Sequence, residues 1–201
     1  MIIGPRYKKA RFLGAPVFSK TQTQKYSMRS QTKGKTTKRR SAKSEYGQQM
    51  MEKQKARYSY GVSGKQFTKY VKMALQASGD NAKNLLRILE GRLDNVVLRA
   101  GFTTSRAAAR QMVSHGHIQV NGKTVTVPSY EVKVGDVITI REGSKKKALF
   151  GKLDEAFKAV KWPAWIKVAP ETREIKVDGE PSADMTELLF NVRAVLEFYT
   201  R

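Results

Sequence analysis

Between Leu85 and Ile140 the spacing of apolar residues changes period, and that change confines the chain to a fold mixing helices with a small sheet. Leu85, Leu86, Leu89, Leu93, Val96, Val97 and Ala100 recur at helical steps. This stripe runs through one long helix or through two joined near Gly91. Gly101 closes it. Thr103 or Thr104 is expected to cap a short helix over about 105–115, with Ala108, Ala109, Met112 and Val113 on one arc and Arg106, Arg110 and Ser114 on another. Gly116 ends that helix, and the period drops to two. His117-Ile118-Gln119-Val120 and Lys123-Thr124-Val125-Thr126-Val127 flank Asn121-Gly122. Both central residues of a type I′ turn need positive φ, so Asn-Gly between alternating runs is a strong hairpin signal. Pro128 stops the second strand. Gly135-Asp136 makes another turn, leading to a strand over 137–140.

The flanks read more simply. Ser44 caps a helix over about 45–58 whose apolar face, Tyr46, Met50 and Met51, is weak. Gly61 ends it. Ser63 and Gln66 have capping-box spacing and open a helix that reaches about Ser78. Its core face is Phe67, Val71, Ala74 and Leu75, opposite a row of Lys65, Lys69, Lys72 and Gln76. A further helix is expected over about 148–161, ended by Trp162-Pro163. Two short strands follow, near 165–168 and 174–177. Leu188, Leu189, Val192, Val195, Leu196, Phe198 and Tyr199 make an apolar terminus that must dock on something.

Charge narrows the partner. Thirty-nine Lys and Arg against 17 Asp and Glu give +22, and 13 of the basic residues lie in an acid-free stretch over 1–44. Such a chain repels itself unless a polyanion is near. Tyr7, Phe12, Leu13, Val17, Phe18 and Tyr26 make this stretch an arm that orders against RNA and a helical layer, rather than a plain solvated tail. Cys is zero, which excludes disulfides, thiolate zinc sites, iron–sulfur clusters and a catalytic Cys. No run approaches the ~18 apolar residues of a membrane span, and no signal peptide is expected.

No catalytic constellation emerges. His115 and His117 are the only His, acids are scattered, and no Walker loop, dinucleotide fingerprint or nucleophile elbow occurs. The two His lack a third metal ligand at useful spacing, so one is expected to contact RNA or pack while the other caps the helix end. Trp162 and Trp165 read as packing anchors. Residues 92–123 do form an RNA-binding constellation. An Arg-rich helix end meets the helix of Arg106 and Arg110, and a hairpin running from His117 to Lys123 follows. Guanidinium forks at fixed spacing suit phosphate pairs.

RLDNVVLRAGFTTSRAAARQMVSHGHIQVNGKTVTVPSYEVKVGDVITI, at 92–140, resembles the small RNA-binding domain named after ribosomal protein S-four. That domain also occurs in pseudouridine synthases and some aminoacyl-tRNA synthetases. An RNA-modifying enzyme would need a catalytic domain, for which the flanks are too short. SEYGQQMMEKQKARYSYGVSGKQF at 44–67 and the closing LEFYTR are similar to segments of the ribosomal protein itself. The whole chain thus resembles the small-subunit ribosomal protein S-four family, of bacterial or organellar type.

The resemblance implies an α+β fold, with a mainly helical domain and a small inserted α/β domain of two helices packed on a short antiparallel sheet. It implies a basic arm over 1–43, a helical domain over 44–91 completed by 182–201, and the S-four-type domain with its extension over 92–181. It implies no enzymatic activity, cofactor, small-molecule substrate or membrane, and a place in the ribosome of the cytoplasm or an organelle. The partners it implies are a multi-helix junction in the 5′ domain of small-subunit rRNA, proteins S-three and S-five, and messenger RNA along its entry path, with a contribution to translational accuracy. RNA contacts are expected from Arg39, Arg40 and Lys43 in the arm. Tyr46, Lys53, Lys55, Arg57, Lys65, Gln66 and Lys69 are expected in the first domain, and Arg92, Arg106, Arg110, Gln111, His115, His117, Asn121 and Lys123 in the second. Many members carry an N-terminal Cys cluster for zinc. Tyr7 and Ala10 stand where those Cys would fall, so this form is zinc-free and its arm must order by packing or RNA. The family's Pro-Gly-Gln-His-Gly segment is absent near 28–37.

Overall fold

The computed structural model describes residues 3–27, 44–151 and 153–200. In chain order the helices are α1 (Arg6–Leu13), α2 (Glu45–Ser59), α3 (Gly64–Gln76), α4 (Asn81–Glu90), α5 (Leu93–Arg99), α6 (Arg106–Ser114), α7 (Leu153–Ala159) and α8 (Val192–Thr200). The strands are β1 (Ile118–Val120), β2 (Lys123–Thr124), β3 (Val137–Ile140), β4 (Ile166–Ala169) and β5 (Glu174–Val177). They form one antiparallel sheet in the order β2-β1-β3-β5-β4. The α+β class expected from the change of period is the class observed. Two compact units result, one of residues up to Ala82 with those from Met185 onward, the other Lys83–Asp184.

In the first unit, α2 and α8 pack side by side. Burying α2 required a polar solution, because its apolar face is as weak as its sequence suggests. Gln49 is buried and donates through Nε2 to Glu45 Oε1 (3.1 Å) and to Glu197 Oε2 on α8 (3.3 Å). The Asn191 amide donates to Glu52 Oε2 at 2.8 Å, and Tyr46 meets Phe198 at 5.4 Å. The apolar terminus thus docks as a helix. Ser44 Oγ accepts from Gly47 N and Ser63 Oγ from Gln66 N, so both expected caps form. Phe67, Val71 and Ala74 of α3 are buried, Leu75 is half-buried, and Lys65, Lys69 and Lys72 are exposed. The described part of the arm is ordered by packing. Ala10, Leu13, Val17 and Phe18 are buried together against Met51 and Tyr58 of α2. Of the two zinc-form Cys positions, Ala10 lies in this cluster and Tyr7 stacks on Tyr26 at 5.7 Å. The missing Pro-Gly-Gln-His-Gly position, near 28–37, lies outside the described residues.

In the second unit the long apolar stripe is two helices. Gly91 breaks it, since a Cβ there would come 3.0 Å from the Arg87 carbonyl and 3.4 Å from Pro181 Cγ. Val132 N donates to Gly91 O and Leu93 N to Tyr130 O, which ties the break to the 128–132 loop. The units divide at Ala82/Lys83 and Asp184/Met185, where the sequence reading sets breaks at 91/92 and 181/182. These loop ties and the bonds Glu90 makes to Asn95 and Arg99 hold the end of α4 with the residues that follow it. The core beneath the sheet joins Leu93, Val97, Ala109, Val113, Ile118, Ile138 and Ile175 with Phe150, Phe157 and Trp165.

Four local expectations change. The cap of α6 is Ser105, whose Oγ accepts from Ala108 N, rather than Thr103 or Thr104. The strand expected over 123–127 pairs only at Lys123 and Thr124, because it lies at the exposed sheet edge and ends at Pro128. Residues 148–161 hold a 3₁₀ turn and the short α7, which leaves Leu149 exposed. Gln66 Nε2 donates to Tyr70 Oη at 2.9 Å, so only the Ser63 half of the expected capping box is formed there. The Asn121-Gly122 turn is as expected, with φ of 49° and 78°.

Candidate nucleic-acid interface

The Arg side chains of the 92–123 constellation converge, but on buried acids. Leu93, Val96 and Val97 turn one face of α5 into the core, and the two polar residues within that stripe, Asp94 and Asn95, are buried with it. Asp94 accepts from Arg92 Nε (3.0 Å) and Nη2 (2.7 Å), and from Arg110 Nε (3.0 Å) and Nη2 (2.7 Å). Asn95 Nδ2 donates to Glu90 Oε2 at 2.6 Å and Oδ1 accepts from Arg106 Nε at 2.9 Å. Glu90, wholly buried, also takes Arg99 in a two-point pair at 2.9 and 3.1 Å. Three helices, α4, α5 and α6, are thereby joined by charge-assisted bonds. Arg92 is 3% exposed and is a strut within this network. Arg106 and Arg110 are half-buried, each anchored through Nε, and Gln111 on the same helix is exposed.

The hairpin side divides in the same way. His115 forms the α6 C-cap through its backbone and keeps its ring exposed. His117 is buried, with Nδ1 2.9 Å from Ser144 Oγ and its ring against the Phe150 edge at 6.0 Å. Burial, then the charges of Lys147, His115 and Arg141, push its imidazole below the usual histidine range. Asn121 is held by its amide, donating to Asp136 Oδ1 (2.8 Å) and accepting from Val137 N (2.9 Å). Lys123 is exposed at the edge strand. Sequence reasoning passed over Arg141, Lys145, Lys146 and Lys147, all exposed on the loop after β3. The Lys-Lys-Lys run beside a buried His was the available signal.

In the first unit, Lys65 and Lys69 project from α3 together with Lys72. Lys53 lies 4.1 Å from the Phe198 ring centroid and 5.2 Å from that of Tyr199, and Arg57 sits 4.6 Å over Tyr58. Burial and the nearby Arg57 charge lower the Lys53 ammonium from its ordinary value. Lys55 pairs with Glu52 at 2.6 Å, and Tyr46 is exposed beside Phe198. Arg39, Arg40 and Lys43 lie outside the described residues. Among the described residues no three His, Asp or Glu gather as a metal site, and no helix is long and apolar enough to cross a membrane.

A helix pair and hairpin with an exposed basic rim, beside a helical unit with its own basic row, define an RNA-binding protein of the S4-domain class. The family model described as S4 domain matches residues 91–138, and that described as Ribosomal protein S4/S9 N-terminal domain matches 1–90. A Cutibacterium acnes protein named small ribosomal subunit protein uS4 is 43% identical over 98% of this chain and 98% of its own length. The namesake from Delftia acidovorans is 40% identical over 99% and 98%, and that from Corynebacterium kroppenstedtii 44% over 84% of each. The chain belongs to the small ribosomal subunit protein uS4 family. This is a family of ribosomal proteins rather than enzymes, in keeping with the lack of a catalytic constellation.

Proposed function

We propose that the chain is a structural, rRNA-binding constituent of the small ribosomal subunit that acts early in assembly. Its RNA target is a multi-helix junction in the 5′ domain of the small-subunit rRNA. Its later place is beside proteins S-three and S-five, along the messenger entry path, where it contributes to translational accuracy. The observation that carries this reading is the pair of exposed basic faces, Lys65, Lys69 and Lys72 on α3 and Arg106, Arg110, Gln111, His115 and Lys123 around the hairpin. A basic arm over 1–43, a helical domain over 44–91 with 182–201 and an S4-type domain over 92–181 are the working parts. Arg39, Arg40, Lys43, Tyr46, Lys53, Lys55, Arg57 and Gln66 belong to the same RNA-contacting set. Arg92, His117 and Asn121 serve it chiefly by holding the surface in shape. Recognition is of junction shape and phosphate placement, because side chains do not read the deep A-form major groove.

Filter binding to a junction fragment across salt tests the reading. Neutralising 6–10 phosphates makes affinity fall about 10³–10⁵-fold between 50 and 200 mM salt. A flat response, or preference for duplex DNA over the junction, would sink it.

A further inference from the structure

Between α1 and α2 the first unit holds an open groove of about 430 Å³, and its lining is unlike the basic faces around it. Phe12, Leu13, Met50 and Tyr58 make it apolar, and Lys9 and Gln54 supply polar groups. Three observations bear on what enters it. Phe12 is 58% exposed and, among the described residues, meets no other ring. A large apolar side chain left open beside a groove marks a contact still to be made. Gln54 Oε1 is buried and has no hydrogen-bond partner, so the groove contains an acceptor awaiting a donor. The rim is cationic without an acid, since residues 3–27 carry Arg6, Lys8, Lys9, Arg11, Lys20 and Lys25 and no Asp or Glu.

An occupant must therefore be flat and apolar enough to lie against Phe12, offer a hydrogen-bond donor to Gln54, and bring negative charge to the rim. An apolar peptide side chain meets the first condition only. An unstacked nucleobase on a phosphodiester chain meets all three. We propose that this groove receives one extruded RNA base bearing an exocyclic amine, adenine above all, with its phosphates at the Lys9 side. Adenine fits best because a glutamine amide pairs with its N6 and N7 together. Uracil has no amine to give Gln54 Oε1. The proposal rests on the RNA-binding reading above and adds a base preference to it.

The full chain is titrated with single-stranded oligoadenylate and oligouridylate octamers at one salt concentration. Oligoadenylate binds about 5-fold or more tighter, the weight of one stacked base. Gln54→Leu removes the preference and leaves oligouridylate affinity unchanged. Phe12→Ala, which removes an exposed ring and leaves the fold intact by circular dichroism, weakens oligoadenylate by a similar factor. Equal binding of the two octamers by the native chain, or an adenine preference that survives Gln54→Leu, would overturn the base site while leaving general RNA binding standing. Failure to bind either octamer or the rRNA junction would overturn both. Within assembled subunits, a photoreactive benzoyl-phenylalanine in place of Phe12 crosslinks to rRNA. Adducts confined to protein, whether a neighbouring chain or residues 28–43 of this one, would assign the groove to that occupant and refute the proposal.

Discussion

Replacing Asp94 by Ala tests whether the buried ion network holds the second unit together. Asp94 and Arg92 are 2% and 3% exposed, so the substitution strands the Arg92 guanidinium, with its two printed bonds to Asp94 gone, in a site closed to water. Removing one partner of a buried pair costs about 3–5 kcal/mol, most of it the penalty on the charge left behind. Arg110 adds little, because its side chain is 28% exposed and can turn to solvent; such pairs are worth roughly 0–1 kcal/mol. A loss of ~3–5 kcal/mol lowers the melting temperature of a unit this size by about 12 °C or more. The chain provides its own reporter, since both Trp residues, Trp162 and Trp165, lie in the second unit. Thermal and urea unfolding followed by tryptophan fluorescence therefore read this unit. Swapping the pair for apolar residues, Arg92→Met with Asp94→Leu, removes the stranded charge and costs less than Asp94→Ala alone. A near-neutral Asp94→Ala, or a double variant no more stable than the single, would refute the argument.

Arg106→Ala with Arg110→Ala weakens binding of the rRNA junction and also destabilises the second unit by about 1–3 kcal/mol, because Asn95 and Asp94 lose donors; filter binding and fluorescence melts separate the two effects, and unchanged melts would contradict the network. Lys65→Ala, Lys69→Ala and Lys72→Ala leave stability within about 0.5 kcal/mol and each lowers the salt slope of RNA binding by about one unit. His117 titrates below its unfolded value, so the unfolded chain takes up a proton first as pH falls. Its contribution is present above the unfolded histidine value, near ~6.5, and is lost as pH falls through the lower folded value. Melts at descending pH show this loss, and His117→Gln flattens it; an equal slope in the variant would rule His117 out as the source.

The helical stripe over 85–100 and the Asn121-Gly122 turn were legible because each is written in neighbouring residues. Period and turn chemistry need no knowledge of the rest of the fold. The partners of the arginines were not legible in the same way. A helical wheel places Arg106 and Arg110 off the apolar arc, but it is silent on Asp94, which reaches Arg110 across 16 residues of sequence. The clue was present in Leu93-Asp94-Asn95-Val96, two polar residues set within a buried stripe, and buried polar groups require partners. His117 was ambiguous because alternation puts it at the head of a strand without saying which face closes. The short β2 and α7 were overextended because pattern alone does not reveal that an edge strand lacks a further neighbour.

The packing of α8 on α2 has a consequence for the order in which the parts mature on a translating ribosome. The second unit is one continuous stretch, Lys83–Asp184, and can collapse as soon as it emerges. The first unit is split around it, so α2 and α3 wait for α8 while about a hundred intervening residues are made. At 5–20 residues per second that wait is roughly 5–20 s. During it Gln49 lacks Glu197, and Lys53 lacks the rings it lies over. The nascent chain therefore presents a finished hairpin module before its helical half is closed, and the two basic faces become available to a polyanion in sequence rather than together.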